Sequence, residues 1–489
     1  MSQFSESVLQ RPHQYIDGQW VASANTARHP IINPATEQPL GWAALGDAAD
    51  VHRAVAAAKR AWPAWAGLPR AERAQWLARL AGALKPRIEL IAALESAEMG
   101  CPISFSMQAQ AQLPVMIMAS YAEMIATPEP VERIGNSRVV REPVGVVAAI
   151  TAWNYPLMLL IGKIAPALAA GCTVVAKPSE VTPLTSFVVA DAIAEIGFPA
   201  GVFNLINGTG IEVGEALVSH PDIDMVSYTG STGTGRRIMA AASATVKKLA
   251  LELGGKSASV VLDDAPLERA VRASMQAGFL NAGQTCIALS RLIVPAHLHA
   301  QAIEIAVDEA GKYRLGDPMD KTTTMGPMAF AAHRDRVREF IRTAEAEGAR
   351  KVCGGAAQPE HLPTGYFVKP TVFAQVDPQS TLAQQEVFGP VLSLISAESE
   401  DQAIDIANGT IYGLNGAVWA GDLDHAVRVG RRMRCGKVDI NGGGFNFNAP
   451  AGGFKQSGIG RERGHYGLEE YYEVKALQFN NEEIAIQAP

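Results

Sequence analysis

Cys286 closes the segment Gly283-Gln284-Thr285-Cys286, just past a helical stretch and a glycine-containing turn and just before a strand-like run. A lone cysteine in an apolar chain is ordinarily inert packing, because free thiols are among the most buried side chains. Its other reading is a nucleophile, once something favours the thiolate. Glu252 lies in Leu251-Glu252-Leu253-Gly254-Gly255-Lys256, an acid inside an apolar strand with glycines after it. Burial at such a place raises a carboxyl pKa and suits a general base, although the residue by itself reads first as a structural salt-bridge partner. Gly230-Ser231-Thr232-Gly233-Thr234-Gly235 follows a strand and opens a helix, so its backbone amides and the helix dipole can hold a phosphate. It lacks the Gly-x-Gly-x-x-Gly spacing, and Gly208-Thr209-Gly210 with Gly214 misses it by one residue, so each also reads as a plain turn.

These residues need elements to position them. From Val144 to Leu262, β-branched runs alternate with helical stretches: strands at Val144–Ile150, Thr173–Lys177, Val202–Ile206, Met225–Thr229, Leu249–Leu253 and Ser257–Leu262, and helices from Pro156 to Gly171, Leu184 to Ile196, Gly210 to Ser219 and after Gly230. Such alternation predicts a parallel sheet covered on both faces. Open parallel sheets bind ligands beyond the carboxyl ends of their strands. That makes Trp153 and Asn154, Lys177 to Glu180, Gly208 and Gly210, and Thr229 to Ser231 candidates. Upstream, Val51–Trp65 and Arg70–Met99 show Ala-rich helical periodicity. Downstream, an amphipathic helix at Pro266–Phe279 precedes a second alternating set, with strands near Arg291–Val294, Val391–Ile395, Gly416–Ala420 and Lys437–Asn441 and helices near Arg334–Glu347 and Asp401–Asn408. The weakly alternating tail Tyr471–Phe479 cannot close a core alone, which leaves it to pair with a sheet edge elsewhere, in this chain or in another subunit.

Composition narrows the field. At 489 residues, with 48% hydrophobic and 19% charged side chains, the chain is expected to fold as a soluble protein of two to three domains, roughly 150 residues each. The net charge of −7, with basic residues scattered, argues against a nucleic-acid or acidic-lipid partner. Five cysteines without a Cys-x-x-Cys pair exclude a disulfide framework and a zinc knuckle and suit a reducing compartment, so a working cysteine works as a thiol and no metal is expected. Met1–Gln14 has polar residues where a secretory signal needs a basic start and an apolar run, so a cytoplasmic protein is expected. The apolar region Val144–Ala176 is broken by Asn154, Pro156, Lys163 and Pro166, which marks buried core and no membrane span.

Taken together the segments form a resemblance. Ala152-Trp153-Asn154-Tyr155-Pro156, Lys177-Pro178-Ser179-Glu180, Tyr228-Thr229-Gly230-Ser231-Thr232, the Glu252 segment, Gly283-Gln284-Thr285-Cys286, Glu386-Val387-Phe388-Gly389-Pro390 and Gly458-Ile459-Gly460-Arg461-Glu462 occur in the order seen in the NAD(P)-dependent aldehyde dehydrogenase family. The resemblance runs from Asn33-Pro34-Ala35-Thr36 to the tail. It implies an α/β chain with a doubly wound parallel-sheet cofactor domain (1–127 and 144–254), a second α/β catalytic domain (255–455) and a small β oligomerisation element (128–143 and 456–489). A homodimer or homotetramer is the implied assembly.

By the same resemblance Cys286 would attack the aldehyde, with the Asn154 side chain and the Cys286 amide stabilising the oxyanion, and Glu252 would activate the water that hydrolyses the thioester. Lys163 and Glu462 match positions linked to a proton route from Glu252, their other reading being a satisfied ion pair. Thr151, Trp153, Lys177, Glu180, Gly210, Gly214, Gly230, Ser231, Glu386 and Phe388 would contact the cofactor. An acid at Glu180 would repel a 2′-phosphate, so NAD is expected over NADP. Tyr155, Leu159, Ile287 and Phe445 keep an apolar substrate wall, whereas Gly162 and Ala451 replace bulky aromatics common in the family. A widened tunnel implies a bulky apolar or aromatic aldehyde, and no Arg occupies these wall positions. The alternatives are a CoA-acylating enzyme, against which Glu252 speaks, and an NADP-dependent semialdehyde dehydrogenase. From other classes, a cysteine hydrolase lacks a recognisable His partner, and a structural role leaves Cys286, Glu252 and Asn154 unexplained together.

Overall fold

In the computed structural model, residues 4–128 and 131–480 are described; residues 1–3, residues 129–130 of the expected arm and residues 481–489 of the expected tail lie outside the described residues. An eight-stranded sheet runs in the order Gly458–Ile459, Lys248–Glu252, Met225–Thr229, Val146–Ile150, Thr173–Lys177, Phe203–Leu205, Gln14–Ile16, Gln19–Val21. Its five central strands are parallel, and its outer pairings are antiparallel. Val146–Ile150 comes first among the five and has later strands on both sides. Chain progression therefore reverses there, and the connecting helices leave a crevice beyond its carboxyl end. The buried, branched run of this strand reads as Val-Val-Ala-Ala-Ile because both faces are covered.

The second sheet has seven strands in the order Arg350–Cys353, Thr371–Ala374, Val391–Ala397, Arg291–Pro295, Ala258–Val261, Asn415–Trp419, Lys437–Ile440, all parallel but for the first pairing. Ala258–Val261, which the alternation assigns to the end of the first series, lies inside this second sheet, between Arg291–Pro295 and Asn415–Trp419. The chain leaves Glu252 at the carboxyl end of one sheet and enters the amino end of the other within a few residues. The site is built where these two edges face each other.

Other expectations need correction. The helical stretch Arg70–Met99 is broken at Lys85–Arg87, where Pro86 removes a backbone donor, into helices Arg70–Leu84 and Ile88–Glu98. The segment grouped with the tail from residue 456 is divided: Gly458–Ile459 adds antiparallel to the edge strand Lys248–Glu252, and only Tyr472–Gln478 joins Ser137–Pro143 and Glu132–Ile134 in a three-stranded sheet. The tail thus pairs within its own chain. Gln10–Arg11, Gln38–Ala44 and Arg28–Asn33 form a further small sheet that the sequence pattern did not reveal. Helix Pro156–Ala170 is buried along almost its whole length. Among the described residues no helix is long and apolar enough to cross a membrane.

Candidate active site

Asn154 follows the strand Val146–Ile150 and precedes the helix that Pro156 opens. Its side-chain amide donates to the Gln284 carbonyl at 3.0 Å, two residues before Cys286. Its own carbonyl accepts from Asn281 Nδ2 at 3.0 Å and Gln110 Nε2 at 3.3 Å. Asn281, Ala282 and Gly283 all take left-handed backbone angles, so the chain turns sharply out of helix Leu267–Gly278 and delivers Cys286 to the crevice. A side chain at Gly283 would strike the carbonyl of Gly389, so only glycine lets the Cys286 loop lie against the Glu386–Pro390 segment. Gln284 braces the loop: its amide nitrogen donates to Asn281 and Pro327 carbonyls at 3.1 and 3.3 Å, and its Oε1 accepts from Ala329 N at 2.9 Å.

Glu252 ends its strand facing the same space. Its Oε1 is enclosed and has no hydrogen-bond partner among the described residues. Burial, with the neighbouring Glu462 carboxylate, raises its pKa well above the usual range, while the Lys163, Arg463 and Arg461 charges oppose. Lys163, fully buried, donates to Glu462 Oε1 at 2.6 Å and to Ser227 Oγ at 3.3 Å. The Cys286 thiol is pushed up to about 12 by burial and by the Glu252 and Glu386 carboxylates, so it rests protonated in the chain alone. Gly255 passes close to the Cys286 backbone, where a Cβ would lie 2.6 Å from the Cys286 carbonyl.

The cofactor candidates sit on several elements. Lys177 Nζ, buried and shifted downward by desolvation, donates to the Pro178 carbonyl at 2.9 Å and to Glu180 at 3.1 Å. Thr151 N donates to the Lys177 carbonyl at 3.1 Å, tying the two strand ends together. Ser231 caps helix Thr232–Ala242 by accepting from Thr234 N at 3.2 Å, and Gly230 N donates to the Glu252 carbonyl at 3.0 Å. A Cβ at Gly210, Gly214 or Gly233, all in the first turns of helical segments, would meet nothing within 4 Å, so two helix starts have open room beside them. Trp153 packs edge-on to Phe388 at 5.5 Å, Phe330 at 5.3 Å and His333 at 5.0 Å. Glu386 accepts from Gly255 N at 3.0 Å, and burial raises it to about 7. Glycine-lined helix starts, one of them capped by Ser231, and a Lys–Glu pair at the end of one strand fit a dinucleotide's phosphates and ribose.

On the substrate side, Tyr155 donates its hydroxyl to Thr285 Oγ1 at 2.8 Å, because the Thr285 proton is spent on the Leu280 carbonyl at 3.1 Å. Leu159 and Ile287 are half-buried, and a Cβ on Gly162 would meet only Glu462 Oε2, at 3.8 Å. Ala451 exchanges backbone hydrogen bonds with Glu462, Ala451 N to Glu462 O at 2.8 Å and the reverse at 2.7 Å. Phe445 is 48% exposed, placing it at the rim rather than inside a closed wall.

Sequence reasoning missed several residues here. Gln110, Asn281 and Gln284 hold the Asn154 and Cys286 loops together. Glu95 and Glu98, fully buried in helix Ile88–Glu98, accept from Leu157 N at 3.2 Å and Leu184 N at 3.0 Å and so cap the two helices that follow Asn154 and Glu180. Acids inside an apolar helix were the available signal. His333, whose ring bonds the Phe388 carbonyl at 2.7 Å, had none.

The aldehyde dehydrogenase family model matches residues 20–477. The chain is 44% identical to a 3-succinoylsemialdehyde-pyridine dehydrogenase of a Pseudomonas species over 466 residues, 95% of this chain and 97% of the relative. It is 44% identical to the geranial dehydrogenase of Castellaniella defragrans over 479 residues, 96% and 99% of the two chains. Its fold is similar to the crystal structure of a mutant aldehyde dehydrogenase C from Pseudomonas syringae in complex with NAD+ and octanal, with a TM-score of 0.95 and 42% identity over 98% of each chain.

Proposed function

Because the chain belongs to the aldehyde dehydrogenase family, we propose that this NAD-dependent enzyme oxidises a bulky apolar or aromatic aldehyde to its acid, through a thioester on Cys286 that a Glu252-activated water hydrolyses. The observation that carries the mechanism is the Asn154–Gln284 hydrogen bond, which holds the Asn154 amide beside the Cys286 backbone. One amide proton of Asn154 is used there, leaving the other for an oxyanion. The Cys286 sulfur attacks the carbonyl carbon, and the carbonyl oxygen takes up the electron pair between Asn154 and the Cys286 amide. When bound, NAD would accept the hydride that leaves the former aldehyde carbon as the oxyanion collapses to the Cys286 thioester, and its cationic ring would favour the thiolate.

Lys177 and Glu180 hold the adenosine ribose, and Thr151 ties their strand end to its neighbour. Ser231, with Gly230 and the helix start at Gly210 and Gly214, holds the pyrophosphate. Glu386 holds the nicotinamide ribose, with Phe388 and Trp153 packing beside it. The NAD+ in the Pseudomonas syringae structure supports this choice of cofactor. Hydrolysis then needs a base: water adds to the thioester carbon, Glu252 takes its proton, and the carbon–sulfur bond breaks to release the acid and the Cys286 thiolate. The raised pKa of Glu252 suits a group that accepts a proton and gives it up near neutral pH. Glu462, held by the Lys163 ammonium at 2.6 Å, takes that proton onward.

The open space at Gly162 and the small Ala451 favour a large aldehyde. The substrates named for two relatives, geranial and 3-succinoylsemialdehyde-pyridine, and the octanal bound by the structural neighbour support that reading. The three-stranded sheet leaves Ile134, Val474 and Leu477 exposed, which supports a homodimer or homotetramer. The unpaired cysteines suit the cytoplasm. The test is NADH formation over an aldehyde panel, with and without CoA, with the acid product identified. A kcat/KM higher for an aromatic than for a two-carbon aldehyde and indifferent to CoA is expected; a clear preference for acetaldehyde overturns the bulky-substrate reading.

A further inference from the structure

Arg463 directly follows Glu462, whose backbone is locked to Ala451 by the hydrogen-bond pair described above. That lock brings position 463 beside the Phe445–Ala451 segment. The Arg463 guanidinium lies over the Phe445 ring, 4.6 Å from its centroid. It is near enough for its charge to act on Tyr155, Tyr121, Cys286 and Glu252, residues on four different elements around the substrate space. Yet it makes no side-chain hydrogen bond or ion pair among the described residues. Its backbone, at φ 71° and ψ 152°, occupies a region that non-glycine residues adopt only when their surroundings hold them there. A guanidinium stacked on a ring keeps its N–H donors in its own plane, directed sideways rather than into the ring. Ala451 is bridged to the residue before Arg463, and a Cβ on Gly162 would meet only the Oε2 of that same Glu462, at 3.8 Å.

We propose that Arg463 is a specificity-determining residue that receives a carboxylate at the far end of a bulky aldehyde substrate. A half-buried cation without a counter-ion is incomplete, and an anionic group that accepts two parallel N–H bonds completes it. The aldehyde end reaches Cys286, the body fills the space at Gly162 and Ala451, and the carboxylate remains chemically unchanged throughout. None of the substrate-wall positions matched by resemblance is an Arg, which is why this cation went unnoticed in the sequence. The inference rests on the aldehyde oxidation proposed above and adds a charge to the substrate class.

The test compares aldehydes of one shape. For 4-formylbenzoate and 3-(4-formylphenyl)propanoate, kcat/KM is measured beside the corresponding methyl esters, with NAD, in the intact enzyme and in Arg463→Gln and Arg463→Lys. At least one carboxylate is expected to exceed its ester by about tenfold or more, the scale of a charge-assisted hydrogen-bond pair. That ratio should collapse toward one in Arg463→Gln, be partly kept in Arg463→Lys, and shrink as salt is raised. Ratios near one for both lengths in the intact enzyme, or a preference that survives Arg463→Gln, overturn the assignment while turnover of the esters leaves the parent reading standing. Absence of NADH from every aldehyde overturns both.

Discussion

Lys163 and Glu462 meet at 2.6 Å although 299 residues separate them in the chain, and the lysine is fully buried. The contact ties helix Pro156–Ala170 to the segment that adds a strand to the sheet edge beside Glu252. Breaking such a pair from one side strands a buried charge, at a cost of about 3–5 kcal/mol. Lys163→Met is therefore expected to lower the urea midpoint sharply, and Lys163→Met combined with Glu462→Gln to recover much of the loss. Additive destabilisation in the double variant would contradict a coupled pair.

Glu252→Gln should separate the two halves of the reaction. The first NADH per active site forms in a rapid burst, and steady turnover falls by about 10²-fold or more, the range for loss of a general base. Rapid mixing with NAD and aldehyde measures both phases. A variant that loses the burst as well contradicts the assignment.

The pH dependence follows from the same side chain. Burial raises the Glu252 pKa, so the protonated acid persists to higher pH than for an exposed glutamate, and the base form needed for hydrolysis appears only above that raised value. Where hydrolysis limits, kcat should rise with pH through neutrality in the intact enzyme and lose that limb in Glu252→Gln. A flat profile in the intact enzyme would remove Glu252 as the limiting base.

Asn154→Ala removes the amide that bonds Gln284 and faces the candidate oxyanion position. Loss of one such donor costs about 10²–10³ in kcat. The expected result is that loss with NAD affinity, read by fluorescence titration, held within about threefold, since the amide bonds the Cys286 loop and not the phosphate turns.

Gly162→Trp fills the space in which a Cβ now meets only Glu462 Oε2 at 3.8 Å. Discrimination against aromatic aldehydes should grow by about tenfold or more relative to acetaldehyde, as steric exclusion exceeds the small gain available from one added contact. Competition assays with paired aldehydes report the ratio directly, and an unchanged ratio places Gly162 outside the substrate path.

Much of the fold could be read from local pattern. The strand Val146–Ile150, the helix closed by Gly171 in a left-handed cap, and the strand Met225–Thr229 followed by a glycine turn all announce themselves through β-branched runs, helical periodicity and capping residues. Strands Arg350–Cys353 and Thr371–Ala374 did not, because one is exposed at an edge and the other is too short for its buried run to be told from a loop. Cys286, Glu252 and Asn154 were legible because each stands at the end of a predicted element. Gln110, Glu95 and Glu98 act from helices without such a position, and their roles depend on what those helices touch.

By itself the sequence determined the residue types on offer: a thiol between a glycine turn and a strand, an acid at a strand end, an amide and a lysine at others, and glycines where helices begin. Those follow from periodicity and turn chemistry, which act over a few residues. Only the tertiary structure decided which of them share a space. The carboxyl edge of one sheet meets the amino edge of the other, so Asn154 reaches Gln284 across 130 residues and Lys163 reaches Glu462 across 299. Long-range pairings of this kind are set by how whole elements pack, and the chain must close large loops to make them. Arg463 shows the difference: the motif before it stops at Glu462 and gives the arginine no role, whereas a backbone bridge from Glu462 to Ala451 and a ring beneath its guanidinium bring it to the Phe445–Ala451 segment.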